Sequence, residues 1–297
     1  MEISGKTFDV NNKDKIFYPQ ENYTKGDIMN YYQKIFSYIL PHIKNRALTM
    51  LRFPNGIEGK SFFQKNKPDY FPDWIKTKSI SKKEGGKIEQ VLANDEATLV
   101  YLASQACLEL HIWMSKIENL QKPDKLIFDL DPSDDDFSKV KSAAFLIKDF
   151  FQDNFKISSF VMTTGSTGLH VMIPIKPELN FDEVLKFTQK ISEHLEKLHP
   201  EKLTSEIRKE KRGNKIYVDV MRNAYGQTSV APYSLRSRKN ASVATPLDWE
   251  ELNRIISSQA YTLANIFKRL GKKEDPWKDV YKNPISIKQF IKDFEKL

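Results

Sequence analysis

The run Lys125-Leu126-Ile127-Phe128-Asp129-Leu130-Asp131-Pro132 leaves the chain little choice of local structure. It is β-prone, and a strand here must stop at Pro132, because proline cannot donate to the ladder. Side chains alternate along a strand, so Asp129 and Asp131 share one face while Phe128 and Leu130 share the other. The apolar face asks for a core. The acidic face holds two like charges that repel each other and lose hydration unless a cation lies between them. Mg²⁺ or Mn²⁺ suits such a place, since hard divalent ions prefer oxygen ligands. A third carboxylate, Asp219, sits in the strand-like run Ile216-Tyr217-Val218-Asp219-Val220. Three acids from two strands can hold a pair of metal ions for phosphoryl transfer. The same Asp-x-Asp-Pro pattern also serves strands that merely open into a loop, so the rest of the chain must decide.

Around this strand the pattern is mixed. Residues 1–23 read as extended or looped, stopped by Tyr18-Pro19. Thr24-Lys25-Gly26-Asp27 starts a helix, with Thr24 as cap, and apolar residues recur at helical spacing up to Pro41. Strands are expected over 47–53 and 59–64, joined by the turn Pro54-Asn55-Gly56. The lysine-rich stretch 65–90 reads as irregular, and Asn94 as the cap of a helix running to about Trp113. After the acidic strand come a helix near 137–153, strands near 157–163 and 169–175, and a helix over 181–198. Strands near 215–221 and 228–235 follow, and from Leu247 the chain is helical and basic. Helices and strands without strict alternation define an α+β fold. There is no internal repeat.

Charge narrows the partners. A net charge of +8 in 297 residues and a sequence pI of about 9.2 favour an anionic partner such as nucleic acid. The lone cysteine, Cys107, lies in an apolar run read as helical and as a small buried hydrophobe. It allows neither a disulfide framework nor a zinc site, which fits a reducing compartment. No apolar leader opens the sequence and no 18-residue apolar run follows, so neither secretion nor a membrane span is expected.

Two further clusters carry chemistry. In Thr163-Thr164-Gly165-Ser166-Thr167-Gly168-Leu169-His170, glycines allow close backbone approach, and Ser166, Thr167 and the local N–H groups can donate to phosphate oxygens. His170 opens a strand and faces away from its apolar side. The same string would also make an ordinary hairpin turn, and it lacks the Gly-Lys-[Ser/Thr] ending of a Walker A loop. In Ala231-Pro232-Tyr233-Ser234-Leu235-Arg236-Ser237-Arg238, two guanidinium groups at i and i+2 share one face if the backbone is extended, a fork suited to a triphosphate.

In this order, the three patterns resemble the polymerase domain of prokaryotic DNA ligase D, a member of the archaeo-eukaryotic primase superfamily. The resemblance covers nearly all of residues 7–255. Further carriers are Lys15-Ile16-Phe17-Tyr18-Pro19, Thr24-Lys25-Gly26-Asp27, Arg52-Phe53-Pro54-Asn55-Gly56, Phe62-Phe63-Gln64-Lys65, Leu108-Glu109-Leu110-His111 and Ala241-Ser242-Val243-Ala244-Thr245-Pro246-Leu247. It implies a primase-like catalytic core of mixed and antiparallel sheets flanked by helices, in one primase-polymerase domain. Residues 1–120 would form an N-terminal subregion, 121–248 the catalytic core and 249–297 a helical end. No adenylation-type lysine motif is present, and the chain reads as a stand-alone polymerase domain.

By this resemblance Asp129, Asp131 and Asp219 are the catalytic, metal-binding carboxylates, holding two Mn²⁺ or Mg²⁺ ions. Ser166, Thr167, His170, Arg236 and Arg238, with Arg52 and His111, match the positions that hold an NTP or dNTP. Thr167 stands where a lysine is common, and Arg222 where a glutamine often follows the third aspartate. Asn12, Lys15 and Lys25 match a pocket for a DNA 5′-phosphate, with the start of the Thr24-capped helix expected to supply free N–H groups. Phe62 and Phe63 fall where aromatics stack on template or nucleotide bases. The implied function is a primer-extending, gap-filling polymerase that prefers ribonucleotides and acts at DNA breaks in non-homologous end joining. Its DNA would be double-stranded, with gaps, overhangs or breaks bearing a 5′-phosphate. Its partners would be Ku and a separate ATP-dependent DNA ligase, and its place the prokaryotic cytoplasm, near the nucleoid. A de novo primase and a non-catalytic DNA-end-binding module are the alternatives.

Overall fold

The computed structural model describes residues 1–82 and 85–297. The chain forms two compact units, each built from separated stretches. The first comprises Met1–Glu118, Thr228–Ala244 and Tyr261–Lys272, and the second Asn119–Gln227, Thr245–Ala260 and Lys273–Leu297.

The first unit opens with two short hairpins, β1 (Glu2–Ile3) with β2 (Lys6–Thr7) and β3 (Ile16–Tyr18) with β4 (Tyr23–Thr24). Helix α1 (Lys25–Lys34) starts as its sequence predicts. The Thr24 hydroxyl accepts the Asp27 N–H at 3.2 Å, and the Asp27 carboxylate accepts the Thr24 N–H at 2.7 Å. The helical stretch does not stop before Pro41. It breaks at Ile35, and Pro41 lies inside α2 (Phe36–Ile43). The proline costs α2 one ladder bond, to the Ser37 carbonyl, while Ile39 and Ile43 remain fully buried.

Strands β5 (Leu48–Arg52) and β6 (Phe62–Gln64) then pair antiparallel across the expected turn, where Gly56 takes φ +76. The stretch 65–90 is not irregular throughout. Strands β7 (Thr77–Ser81) and β8 (Lys87–Val91) pair antiparallel, with alternate residues such as Ile80 and Gln90 buried. Lys83 and Glu84, part of that stretch, lie outside the described residues.

The single helix expected from Asn94 to Trp113 is a helix followed by a strand. Asp95, not Asn94, caps α3 (Glu96–Ser104) by accepting the Thr98 N–H at 2.9 Å, while the Asn94 amide oxygen accepts the Asn45 N–H. Ala106 then adopts left-handed φ +64, which ends the helix and starts β9 (Cys107–Trp113). Cys107 is buried as expected, but on a strand.

In the second unit, β10 (Lys125–Asp131) carries the acidic pattern, and α4 (Phe137–Phe155) follows from its Asp136 cap. Next come β11 (Phe160–Thr163), β12 (Leu169–Pro174) and α5 (Phe181–Leu198). Helix α5 begins with a reciprocal Asn180–Glu183 capping box, and Val184, Phe187, Thr188, Ile191 and Leu195 form its buried stripe. Strands β13 (Leu203–Thr204) and β14 (Ile216–Asp219) lead to a single helical turn, Met221–Asn223.

The chain re-enters the first unit as β15 (Thr228–Val230), shorter than the strand expected over 228–235 because Tyr233 turns the backbone at φ +64. It completes a sheet of order β15-β9-β5-β6. Strand β16 (Thr245–Leu247) edges the six-stranded sheet of the second unit, ordered β13-β14-β10-β12-β11-β16 and antiparallel except for β13 with β14. Short helices α6 (Trp249–Arg254) and α7 (Ile266–Leu270) precede α8 (Ile287–Phe294).

The apolar face of β10 supplies the second unit's core. Phe128 meets Phe151 of α4 at 5.5 Å between ring centroids, and Leu126, Phe128 and Leu130 are fully buried. Each such side chain contributes roughly 1.5–3 kcal/mol. Among the described residues, no helix is long and apolar enough to cross a membrane.

Candidate metal centre and anion-binding residues

Strand register builds the acidic centre. Asp129 on β10 stands opposite His170 of β12 on one side and Asp219 of β14 on the other. Residues directly opposed across antiparallel strands project to the same face, so these side chains converge with Asp131, two residues along. Carboxylate oxygens of Asp129, Asp131 and Asp219 all lie within 4.8 Å of one another. The sheet thus brings the three predicted acids together.

The three carboxylates are held differently. Burial first, and then the neighbouring Asp129 and Asp219 charges, push the Asp131 carboxyl up to about 6. Asp219 is raised too, by burial and by Asp129, although its Oδ1 accepts the Met221 N–H at 2.7 Å. Asp129 goes the other way. Burial alone would raise it, but His170 Nε2 at 3.4 Å from Oδ1 and Arg222 Nε at 3.1 Å from Oδ2 hold it below the ordinary carboxylate range. Three carboxylates gathered within reach of one ion, two of them raised by burial and by their acidic neighbours, make an all-oxygen donor set that fits a divalent cation.

The β11–β12 loop is shaped around this strand. Gly165 takes φ +67, and a Cβ on Gly168 would lie 2.2 Å from the Leu130 carbonyl oxygen, so no side chain fits there. The loop's N–H groups are less available than its sequence implies, because those of Ser166 and Gly168 both point at the Thr164 hydroxyl at 3.3 Å. Ser166 and Thr167 line a cavity of about 180 Å³ together with Pro132, Ser257 and Gln259. Asp134 and Asp135 line it as well, so an anion would enter more readily with a cation.

Most of the basic positions lie in the first unit. Arg236 is half-buried, its Nε 3.0 Å from Glu109 Oε2, and His111 Nε2 lies 3.2 Å from the same oxygen. Glu109 Oε1 accepts the N–H and hydroxyl of Ser237 at 2.8 and 2.6 Å. Burial would raise the Glu109 carboxyl, yet the His111 hydrogen bond, the Arg236 and His111 charges and Ser237 together bring it down to about 2. The residues predicted as a guanidinium fork are not on one strand face. Arg238 is exposed on a turn closed by the Ala241 N–H to its carbonyl, because the backbone leaves the strand after Val230.

Arg52 is tied inward. Nε donates to the Gln105 carbonyl at 2.8 Å and Nη1 to Gln64 and to the Tyr70 hydroxyl, while the guanidinium covers the Phe62 ring at 5.5 Å. Phe62 and Phe63 are 45% and 62% exposed, and Phe63 meets the His111 ring edge-on at 5.7 Å.

Lys15 and Lys25 lie close together beside Asn12, which takes φ +53 and accepts the Lys15 N–H. Lys25 Nζ donates to the Ser104 carbonyl at 3.3 Å, and burial followed by the Lys15 charge lowers its pKa. Lys15 Nζ donates to the Pro54 carbonyl and to Asn55. The free helix N–H groups expected here are absent. Those of Lys25 and Gly26 bond the Lys15 and Lys13 carbonyls at 2.8 Å, and that of Asp27 bonds the Thr24 cap. An anion at this place would have to be held by the lysines.

Sequence reasoning gave no contact to two side chains it had named. Glu109 was hidden because its segment read as helix, although the alternation Leu108-Glu109-Leu110-His111 puts Glu109 and His111 on one strand face. The contact of Arg222 with Asp129 had no local signal.

Three carboxylates that could hold a metal ion converge on an antiparallel sheet, with basic and exposed aromatic residues elsewhere, as expected for a primase-like polymerase domain, and the comparisons support that class. Residues 24–277 match the LigD primase-polymerase domain profile. The chain is 36% identical over 273 residues to the bifunctional non-homologous end joining protein LigD of Bacillus subtilis, covering 91% of this chain and 44% of that protein. It is 30% identical over 246 residues to the multifunctional LigD of Mycolicibacterium smegmatis, covering 82% and 32%. The chain thus spans less than half the length of these curated relatives. The structure superposes on the polymerase domain of Mycobacterium tuberculosis ligase D, solved in complex with DNA, with a TM-score of 0.86 at 26% identity, covering 94% of this chain and 99% of that one. The chain belongs to the LigD primase-polymerase domain family.

Proposed function

We propose that the chain is a DNA-directed nucleotidyltransferase that extends a primer 3′ end across gaps at DNA breaks during non-homologous end joining, preferring ribonucleotides. The observation that carries this reading is the convergence of Asp129, Asp131 and Asp219 on one sheet face, where burial and the neighbouring acids raise the Asp131 and Asp219 carboxyls. Two Mn²⁺ or Mg²⁺ ions held by these carboxylates would activate the primer hydroxyl and neutralise charge developing on the leaving pyrophosphate. The protein contributes position and charge rather than covalent steps.

In this scheme His170 orients Asp129 from the neighbouring strand. Ser166, Thr167, His111, Arg236 and Arg238 hold the nucleotide, and Glu109 keeps Arg236 and His111 in place. Arg52 supports Phe62, which with Phe63 offers stacking surface to unpaired bases. Asn12, Lys15 and Lys25 receive the 5′-phosphate, a reading favoured by the nearness of the Lys15 charge, which together with burial lowers the Lys25 pKa. The net charge of +8 supports contact with the DNA backbone. Ku and an ATP-dependent ligase would act with it, in the cytoplasm near the nucleoid.

The test is extension of a labelled primer on a gapped duplex, with Mn²⁺ and either NTPs or dNTPs. The protein should add nucleotides, NTPs faster. Replacing Asp129 and Asp131 together by Ala should abolish addition while DNA binding persists. Activity above a few per cent in that double variant refutes the assignment.

A further inference from the structure

We propose that Arg222 is the resident counter-cation of the acid triad and competes with divalent ions for Asp129, so that it sets how tightly the site holds metal. This rests on the metal-centre reading above. Arg222 lies in the single turn Met221–Asn223 that follows β14. Asn223, fully buried, fixes that turn: its amide oxygen accepts the Ile127 N–H at 2.9 Å, and its amide nitrogen donates to the Ile127 and Val220 carbonyls at 2.8 Å each. Ile127 precedes Asp129 by two residues on β10, so the same tether sets the base of Arg222 relative to the acid it reaches.

Arg222 Nε stands 3.1 Å from Asp129 Oδ2, and His170 Nε2 stands 3.4 Å from Oδ1. Both oxygens of this carboxylate therefore already face nitrogen donors. The two partners differ in freedom. The Asp129 side chain is 6% exposed and that of Arg222 is 40% exposed, so the acid is held while the guanidinium can swing into solvent. An ion binding all three acids draws on the carboxylate charge that Arg222 and His170 already engage, and the Arg222 guanidinium repels it. Arginine keeps its proton at any working pH, so it cannot yield by losing charge and must move. Metal affinity is then reduced by the fraction of molecules in which Arg222 is in place. The Asp129–Arg222 pair also separates two jobs, since Asp131 and Asp219 can attract the ion before Arg222 leaves.

Calorimetric titration of the whole chain with Mn²⁺, without DNA or nucleotide, tests this. Arg222→Gln should bind Mn²⁺ about tenfold to a hundredfold more tightly than the unmodified protein, the range expected for removing a charge-assisted contact from the competing state. Arg222→Lys, which keeps charge but loses the planar fork, should fall between them. Without metal, Arg222→Gln should melt at a lower temperature than the unmodified protein and gain more on adding Mn²⁺. Should that variant fail to fold, NMR of the unmodified protein decides: the Arg222 Nε–H should be protected from exchange without metal and lose protection at saturating Mg²⁺. Equal or weaker Mn²⁺ binding by a folded Arg222→Gln, or an Nε–H indifferent to Mg²⁺, overturns the role of Arg222 and leaves the metal centre standing. Absence of Mn²⁺ binding in both proteins overturns both.

Discussion

Glu109→Gln is the most informative single substitution in the first unit. The carboxylate is 3% exposed and receives Arg236, His111 and both donors of Ser237. Its fall from an ordinary value near 4.5 to about 2, at about 1.4 kcal/mol per pH unit, corresponds to about 3 kcal/mol favouring the charged form in the folded protein. Because the folded pKa is depressed, that stabilisation is fully present above pH 4.5 and is lost as pH falls towards 2. Gln keeps the shape but removes the charge, and its amide can turn only one acceptor toward donors on both sides. The variant should be less stable by about 3 kcal/mol in urea unfolding at pH 7, and the difference should shrink steadily between pH 4.5 and 2.5. Other carboxylates titrate in both proteins and cancel in the comparison. Primer extension should show a raised nucleotide KM with a smaller change in kcat, because Arg236 and His111 lose their anchor. A stability difference that stays constant with pH, or that is below about 0.5 kcal/mol throughout, would refute the reasoning.

Lys15 and Lys25 changed together to Ala should erase the preference for gapped DNA bearing a downstream 5′-phosphate over the same DNA ending in a hydroxyl, as read by fluorescence anisotropy. Equal affinity for the two ends in the unmodified protein would exclude a phosphate pocket. Gly168→Ala forces a methyl group against the Leu130 carbonyl. It should cost about 1–3 kcal/mol in thermal unfolding and depress primer extension by shifting the strand that carries Asp129 and Asp131, whereas unchanged melting and activity would contradict the close approach. Mn²⁺ affinity should fall as pH drops through about 6, where Asp131 takes up a proton that the ion must displace. A binding constant flat from pH 7.5 to 5 would contradict this.

Local chemistry made much of this legible. The alternation through Asp131 and the stop at Pro132 placed β10, and the Thr24–Asp27 pattern placed the start of α1, because each signal acts within a few residues. The convergence of Asp219 with Asp129 could be expected but not located, since it depends on how β14 registers against β10. The errors came where a nonlocal or backbone effect prevailed. Ala106 in left-handed conformation divides what reads as one apolar helix, and Tyr233 at positive φ bends the segment that would have carried a guanidinium fork. The start of α1 looked open from its cap alone, but carbonyls of residues 13 and 15 satisfy it, and nothing in residues 24–27 announces them.

The pairing of Asp129 with both His170 and Asp219 makes the acidic face a parity check on the chain. A single residue inserted or deleted within β12 or β14 would turn His170 or Asp219 to the opposite side of the sheet, however well the apolar residues repacked. Length changes among descendants of such a sequence should therefore collect in the connections, such as the stretch between Thr204 and Ile216, and reach the strands only in pairs. Tight Mn²⁺ binding would then report, in any engineered or shortened variant, that three neighbouring strands had found their correct alignment.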